Sequence, residues 1–161
     1  MKFYSATILS AMAAVMAATP AALAADTPRQ TQVEKNSKHV MPFSLNATMH
    51  RFVPTPAGGV QTVLAHDGDP RQIALVRAHL RKEASAFARG DFADPAAIHG
   101  GDMPGLRAMH AGAKRIRVRY AEVRNGAAIT YATADPALVG AIHAWFHAQV
   151  ADHGKHATMT M

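Results

Sequence analysis

The chain of 161 residues contains no cysteine. That absence excludes disulfide stapling, thiolate metal sites, a cysteine nucleophile and haem attached through a CxxCH motif. Aromatic residues are scarce at 6%. The 17 Lys and Arg outnumber the 11 Asp and Glu, for a formal charge of +6. These basic residues are scattered over the chain and not interleaved with aromatics, which argues against a nucleic-acid partner. No segment beyond the first 24 residues approaches the roughly 20 apolar residues that cross a bilayer, so no membrane span is expected. Catalytic signatures are missing as well. "AGG" at 57–59 is only a turn, Ser44 and Ser85 sit in no nucleophile elbow, and there is no HExxH.

What is present begins with an export pattern. Lys2, the apolar run "ATILSAMAAVMAA" and the small residues "ALA" at 22–24 read as a signal peptide over 1–24, with a periplasmic or secreted destination. Residues 25–43 lack hydrophobic periodicity and read as a flexible tail. A single α+β domain is expected over 44–157, followed by a mobile end at 158–161.

Within that domain the pattern occurs twice. "SLNATMHRFVP" alternates, with Leu45, Ala47, Met49 and Val53 assigned to the buried side. "TPAGG" turns the chain and "VQTVLAH" returns. Asp69-Pro70 then opens a helix whose stripe is Ile73, Val76, Leu80, Ala84 and Phe87. "KRIRVRYAEV", the turn "RNG" and "AAITYATA" repeat the hairpin. Asp135-Pro136 opens a second helix with Leu138, Val139, Ile142, Trp145, Phe146 and Val150 inward. The expectation is a duplicated β-β-α unit: a four-stranded antiparallel sheet with two main helices on one face. A long connector, residues 90–113, lies between the halves, punctuated by Gly, Pro and Asp and holding two short helical turns.

The phrase "GDFADPAAIHGGDMPGL", together with "DPALVGAIHAWFHAQVADHG", resembles a family of short exported bacterial proteins often labelled aspartate carbamoyltransferase. The resemblance covers about residues 45–157 and implies a compact secreted domain. Carbamoyl transfer itself would need two α/β domains, roughly twice this length, and a Ser-Thr-Arg-Thr phosphate loop that the chain does not contain.

Ten histidines and nine methionines are the remaining chemical resource. Imidazole suits copper, zinc and nickel, and thioether favours Cu(I). The candidate metal ligands are His79 on the first helix, His99 and Met103 in the connector, and His143 and His153 on the second helix. His147, one step round from His143, is expected in solvent. The tail "HGKHATMTM" adds His156, Met159 and Met161. The expected function is a metal-binding protein, with copper as the metal and the connector as a lid, binding or carrying without turnover. The alternatives are a non-metal small-molecule or protein interaction module built on residues 90–113, with a periplasmic partner, non-covalent haem ligation by a His/Met pair, and an acid–base enzyme using His99 and Asp102.

Overall fold

Asp69 and Asp135 each stand before a proline, and each begins a long helix. Their carboxylates accept hydrogen bonds from the backbone N–H of Arg71 at 2.8 Å and of Ala137 at 2.9 Å, and proline suits the first helical position because no N–H is needed there. A computed structural model describes residues 25–160; the signal peptide expected at 1–24 and the final residue lie outside it. The elements are α1 (Pro28–Val40), β1 (Thr48–Thr55), β2 (Gly58–Ala65), α2 (Pro70–Ala88), α3 (Ala93–His99), α4 (Leu106–Ala111), β3 (Arg117–Val123), β4 (Gly126–Ala132), α5 (Pro136–His153) and β5 (Ala157–Met159). No described helix is long and apolar enough to cross a membrane.

The sheet corrects the expected four-stranded antiparallel arrangement. It is mixed and five-stranded, in the order β3-β4-β2-β1-β5, with β5 parallel to β1. β5 is three residues long, too short to show a period of two. It satisfies the otherwise open edge of β1, and Thr160 N–H extends the contact to Phe52 O at 3.0 Å. Thr158 and Met159, assigned to a mobile end, therefore belong to the sheet. The second strands of the two hairpins pair at its centre, Val63 opposite Ala127 and Gln61 opposite Ile129. That approach needs glycine at 126, where a Cβ would lie 1.9 Å from the Val63 carbonyl oxygen. α2 packs on β3 and β4, and α5 on β1, β2 and β5, so each helix covers the hairpin of the other half.

Two further expectations are corrected. In β1 the buried residues are Thr48, His50 and Phe52, while Met49 and Val53 are only half-buried. Leu45–Ala47 forms a short 3-10 turn before the strand, and that turn breaks the alternation on which the assigned phase rested. Residues 25–43, assigned to a flexible tail, contain α1. Thr27 and Gln30 cap it reciprocally, Thr27 Oγ1 accepting from Gln30 N–H at 3.2 Å and Gln30 Oε1 from Thr27 N–H at 2.9 Å. Val33 and Ser37 are its buried residues, and Met41 and Phe43 beyond it also enter the core. The helix escapes a periodicity argument because polar groups dock most of it: Gln30 Nε2 donates to Ala151 O at 2.9 Å and Asn36 Nδ2 to Ile98 O at 3.0 Å.

Candidate functional site: a buried imidazole cavity

The shift in strand phase turns His50 into the core, where it faces a cavity of about 40 Å³. α2 contributes His79 and Glu83 to the lining, α3 Asp94 and His99, and α5 Trp145, Gln149 and His153. Met41, just after α1, lines it too. A volume of this size holds about three waters or a single small ligand.

Three imidazoles meet at one end. The His50 and His153 rings stack at 4.9 Å with 9° between their planes, and His99 stands edge-on to His153, also at 4.9 Å. His99 Nδ1 lies 2.8 Å from Asp152 Oδ2. Arg29 of α1 grips that carboxylate with Nε at 2.8 Å and Nη2 at 2.7 Å, and the same Nη2 donates to His99 O at 2.6 Å. Burial pushes Asp152 upward, but the hydrogen bonds from Arg29 and His99 outweigh it and hold the group below the ordinary carboxylate range. An ionised Asp152 can only accept, so His99 Nδ1 carries the hydrogen and Nε2 keeps the lone pair. Burial lowers His99 itself, against the pull of Asp152.

His50 is pushed down to about 3 by burial, against a hydrogen bond to the His156 backbone. His50 Nδ1 is buried without a hydrogen-bond partner. His153 lies well below its ordinary value through burial and the neighbouring imidazoles, and its Nδ1 is likewise unpartnered.

The other end is a carboxyl pair. Burial first, then the hydrogen bond and charge of Asp94, push Glu83 up to about 8. Burial also pushes Asp94 upward, but hydrogen bonds from Lys82 and Glu83 keep it low; Lys82 Nζ sits 2.6 Å from Asp94 Oδ2. At neutral pH one carboxyl group is therefore neutral and its neighbour ionised. His79 is lowered to about 4 by burial.

Five buried side-chain atoms among the described residues lack a hydrogen-bond partner. Four of them belong to residues lining this cavity: His50 Nδ1, Glu83 Oε1, Trp145 Nε1 and His153 Nδ1. Buried polar groups are overwhelmingly paired in folded proteins, so this concentration of unpaired atoms makes the cavity the candidate site. The nitrogens do not yet converge, and no group of three or more His, Asp or Glu side chains among the described residues stands in metal-holding positions.

Of the expected ligands, His79, His99 and His153 share the cavity. Met103 is buried in the core but lines no part of it, and Met41 is the thioether that does. His143 is placed elsewhere: its Nε2 lies 2.8 Å from Gly58 O and 3.0 Å from Thr55 O, where it ties α5 to the β1–β2 turn. His147 is exposed, as expected. Sequence reasoning missed His50, Glu83, Trp145's role, Gln149, Asp152 and Arg29. Glu83 carried a usable signal, since it interrupts the apolar stripe of α2 between Leu80 and Phe87. Gln149 and Asp152 prolong the inward face of α5 in the same way. Arg29 carried none. No protein family model, curated protein or solved structure matches the chain.

Proposed function

We propose that the protein binds a single copper ion at the imidazole end of the cavity, as an exported, periplasmic or secreted carrier without catalytic turnover. The ligands are His50 Nδ1, His153 Nδ1 and His99 Nε2, with the Met41 thioether as a fourth. The observation that carries this reading is the pair of buried, unpartnered imidazole nitrogens on His50 and His153. Metal ligands must be deprotonated, and burial keeps both rings neutral well below the pH at which free histidine protonates. Asp152 behind His99 supplies the carboxylate–histidine support common to metal sites, fixing the ring and raising its basicity. Thioether added to imidazole selects copper over zinc, and a wholly neutral donor set in a buried cavity suits Cu(I) better than a divalent ion. Metal–nitrogen bonds of about 2 Å put ligand nitrogens no more than about 4 Å apart, so uptake turns the stacked rings of His50 and His153 toward one point.

Trp145 is the one tryptophan of the chain and lines the cavity, so its fluorescence reports the site. In an anaerobic Cu(I) titration against a competing chelator, His50→Ala and His153→Ala should each weaken binding at least tenfold, about 1.4 kcal/mol. His143→Ala and Met103→Leu should leave affinity unchanged. Equal losses at His143 and His50, or affinity no better than that of an unstructured histidine-rich peptide, would refute the site.

A further inference from the structure

A cation held by imidazoles and a thioether leaves two of the four unpartnered cavity atoms unanswered. Trp145 Nε1–H can only donate, and no cation satisfies it. Glu83 Oε1 is an acceptor. Its carboxyl group is held neutral by burial and by the charge of Asp94, and its hydroxyl hydrogen is directed to that ionised neighbour, leaving Oε1 as a carbonyl oxygen. Both side chains are buried, Trp145 at 1% and Glu83 at 5% exposure. A further donor is available nearby: Gln61 Oε1 accepts from Tyr131 OH at 3.0 Å, which leaves the amide N–H₂ of this lining residue for a ligand. The charges at the margins are already paired: Arg29 with Asp152, and Lys82 with Asp94 at 2.6 Å, its Nζ lying 3.8 Å from Glu83 Oε1, beyond hydrogen-bond reach. A charged ligand would therefore meet no uncommitted counter-charge, while a neutral one loses little on desolvation.

We propose that this second end of the cavity, between α2 and α5, binds a small neutral molecule with an acceptor oxygen beside a donor hydrogen. Its oxygen takes the Trp145 N–H and its hydrogen goes to Glu83 Oε1. A cavity of about 40 Å³ limits it to a few heavy atoms. Leu80, Phe87 and Ile129 in the lining favour a short alkyl group on it. Primary carboxamides and alcohols share this chemistry. The proposal does not depend on copper, because the two atoms it uses belong to none of the metal ligands.

The test uses metal-free protein and the fluorescence of Trp145. Acetamide and ethanol are the two binding arms, and whichever saturates names the source. Acetate, which is charged, and trimethylamine N-oxide, which accepts but cannot donate, are the controls. The expected result is a saturable change with a Kd in the millimolar range for acetamide, ethanol or both, none for the controls, and loss of the response in Glu83→Leu. Should that variant fail to fold, ligand-detected saturation-transfer NMR on Trp145→Phe decides, with at least tenfold weaker binding expected. Absence of saturation up to about 100 mM in both arms, equal binding of the controls, or full affinity in Trp145→Phe would each overturn the proposal. Either of the last two results would leave the copper site standing.

Discussion

α2 and α5 start alike and bury their carboxyl groups in opposite ways. Each opens on a capping Asp-Pro pair, and each lies on the same face of the sheet over the other half's hairpin. Yet Glu83 on α2 stays neutral, pushed up to about 8, whereas Asp152 on α5 is held ionised below the ordinary range. The difference is set by neighbours outside the two repeats. Glu83 meets another carboxyl group, Asp94 of α3. Asp152 meets the planar fork of Arg29 from α1. A carboxyl group taken into the core either keeps its proton or finds a cation, and the choice is made by whichever element is packed opposite.

The sharpest way to break this contrast is to delete residues 25–40. Loss of α1 uncovers the core around Val33, worth about 2 kcal/mol, and strips Asp152 of the half-exposed Arg29, worth about 1 kcal/mol more after solvent screening. The expected fall in melting temperature is about 10 °C, measured by calorimetry. A shift of only a few degrees would return the segment to the status of a loose tail.

Glu83→Gln should sharpen the contrast from the other side. With its folded pKa raised, Glu83 favours the folded state fully only below the unfolded value. As pH rises from there toward about 8, the unfolded chain ionises and the folded chain does not, so stability is lost. Between about pH 5 and pH 7.5 that loss amounts to about 3 kcal/mol, and urea unfolding of the glutamine variant should show it abolished. An unchanged pH slope in the variant would mean that Glu83 ionises in the fold. Asp152 has the opposite sign: its contribution is present above the unfolded carboxylate pKa and disappears as pH falls through the lower, folded value.

Arg29→Ala is the mildest of these changes. Arg29 is more than half exposed, and screening limits the loss of stability to about 1 kcal/mol. Its distinct signature is the ring of His99. Nitrogen-15 shifts should move from a single tautomer with the hydrogen on Nδ1 toward a mixture, and Arg29→Lys should restore it only in part. A single unchanged tautomer in Arg29→Ala would show that Asp152 orients His99 unaided.

Much of the scaffold could be read from one-dimensional pattern. The two hairpins, the turn at Asn125 with its left-handed φ of 63°, both Asp-Pro caps and the inward residues Val76, Leu80, Phe87, Ile142, Trp145 and Phe146 all follow from local chemistry and helical or strand period. The site was only half legible. His99 and His153 stood out as an unusual density of imidazoles. His50 did not, because the 3-10 turn at Leu45–Ala47 changed which residues of β1 face inward. Met103 and His143 were drawn in by spacing alone, and spacing along one helix says nothing about which elements stand opposite it. The capping box of Thr27 and Gln30 was legible in principle, but a helix with so little apolar surface looks like a tail until its docking partners are known.

By itself the sequence determined the local decisions: where helices start, where hairpins turn, and that thiolate chemistry is absent. Those depend on residues within a few positions of one another, and the energies involved are set by backbone geometry and side-chain type. Only the tertiary structure decided that β5 closes the edge of β1, that α1 belongs to the domain, and that His50, His99 and His153 meet. Arg29 and Asp152 are 123 residues apart. Their pairing, and with it the charge and the lone pairs facing the cavity, depends on desolvation and distance, and neither quantity exists until the chain has folded.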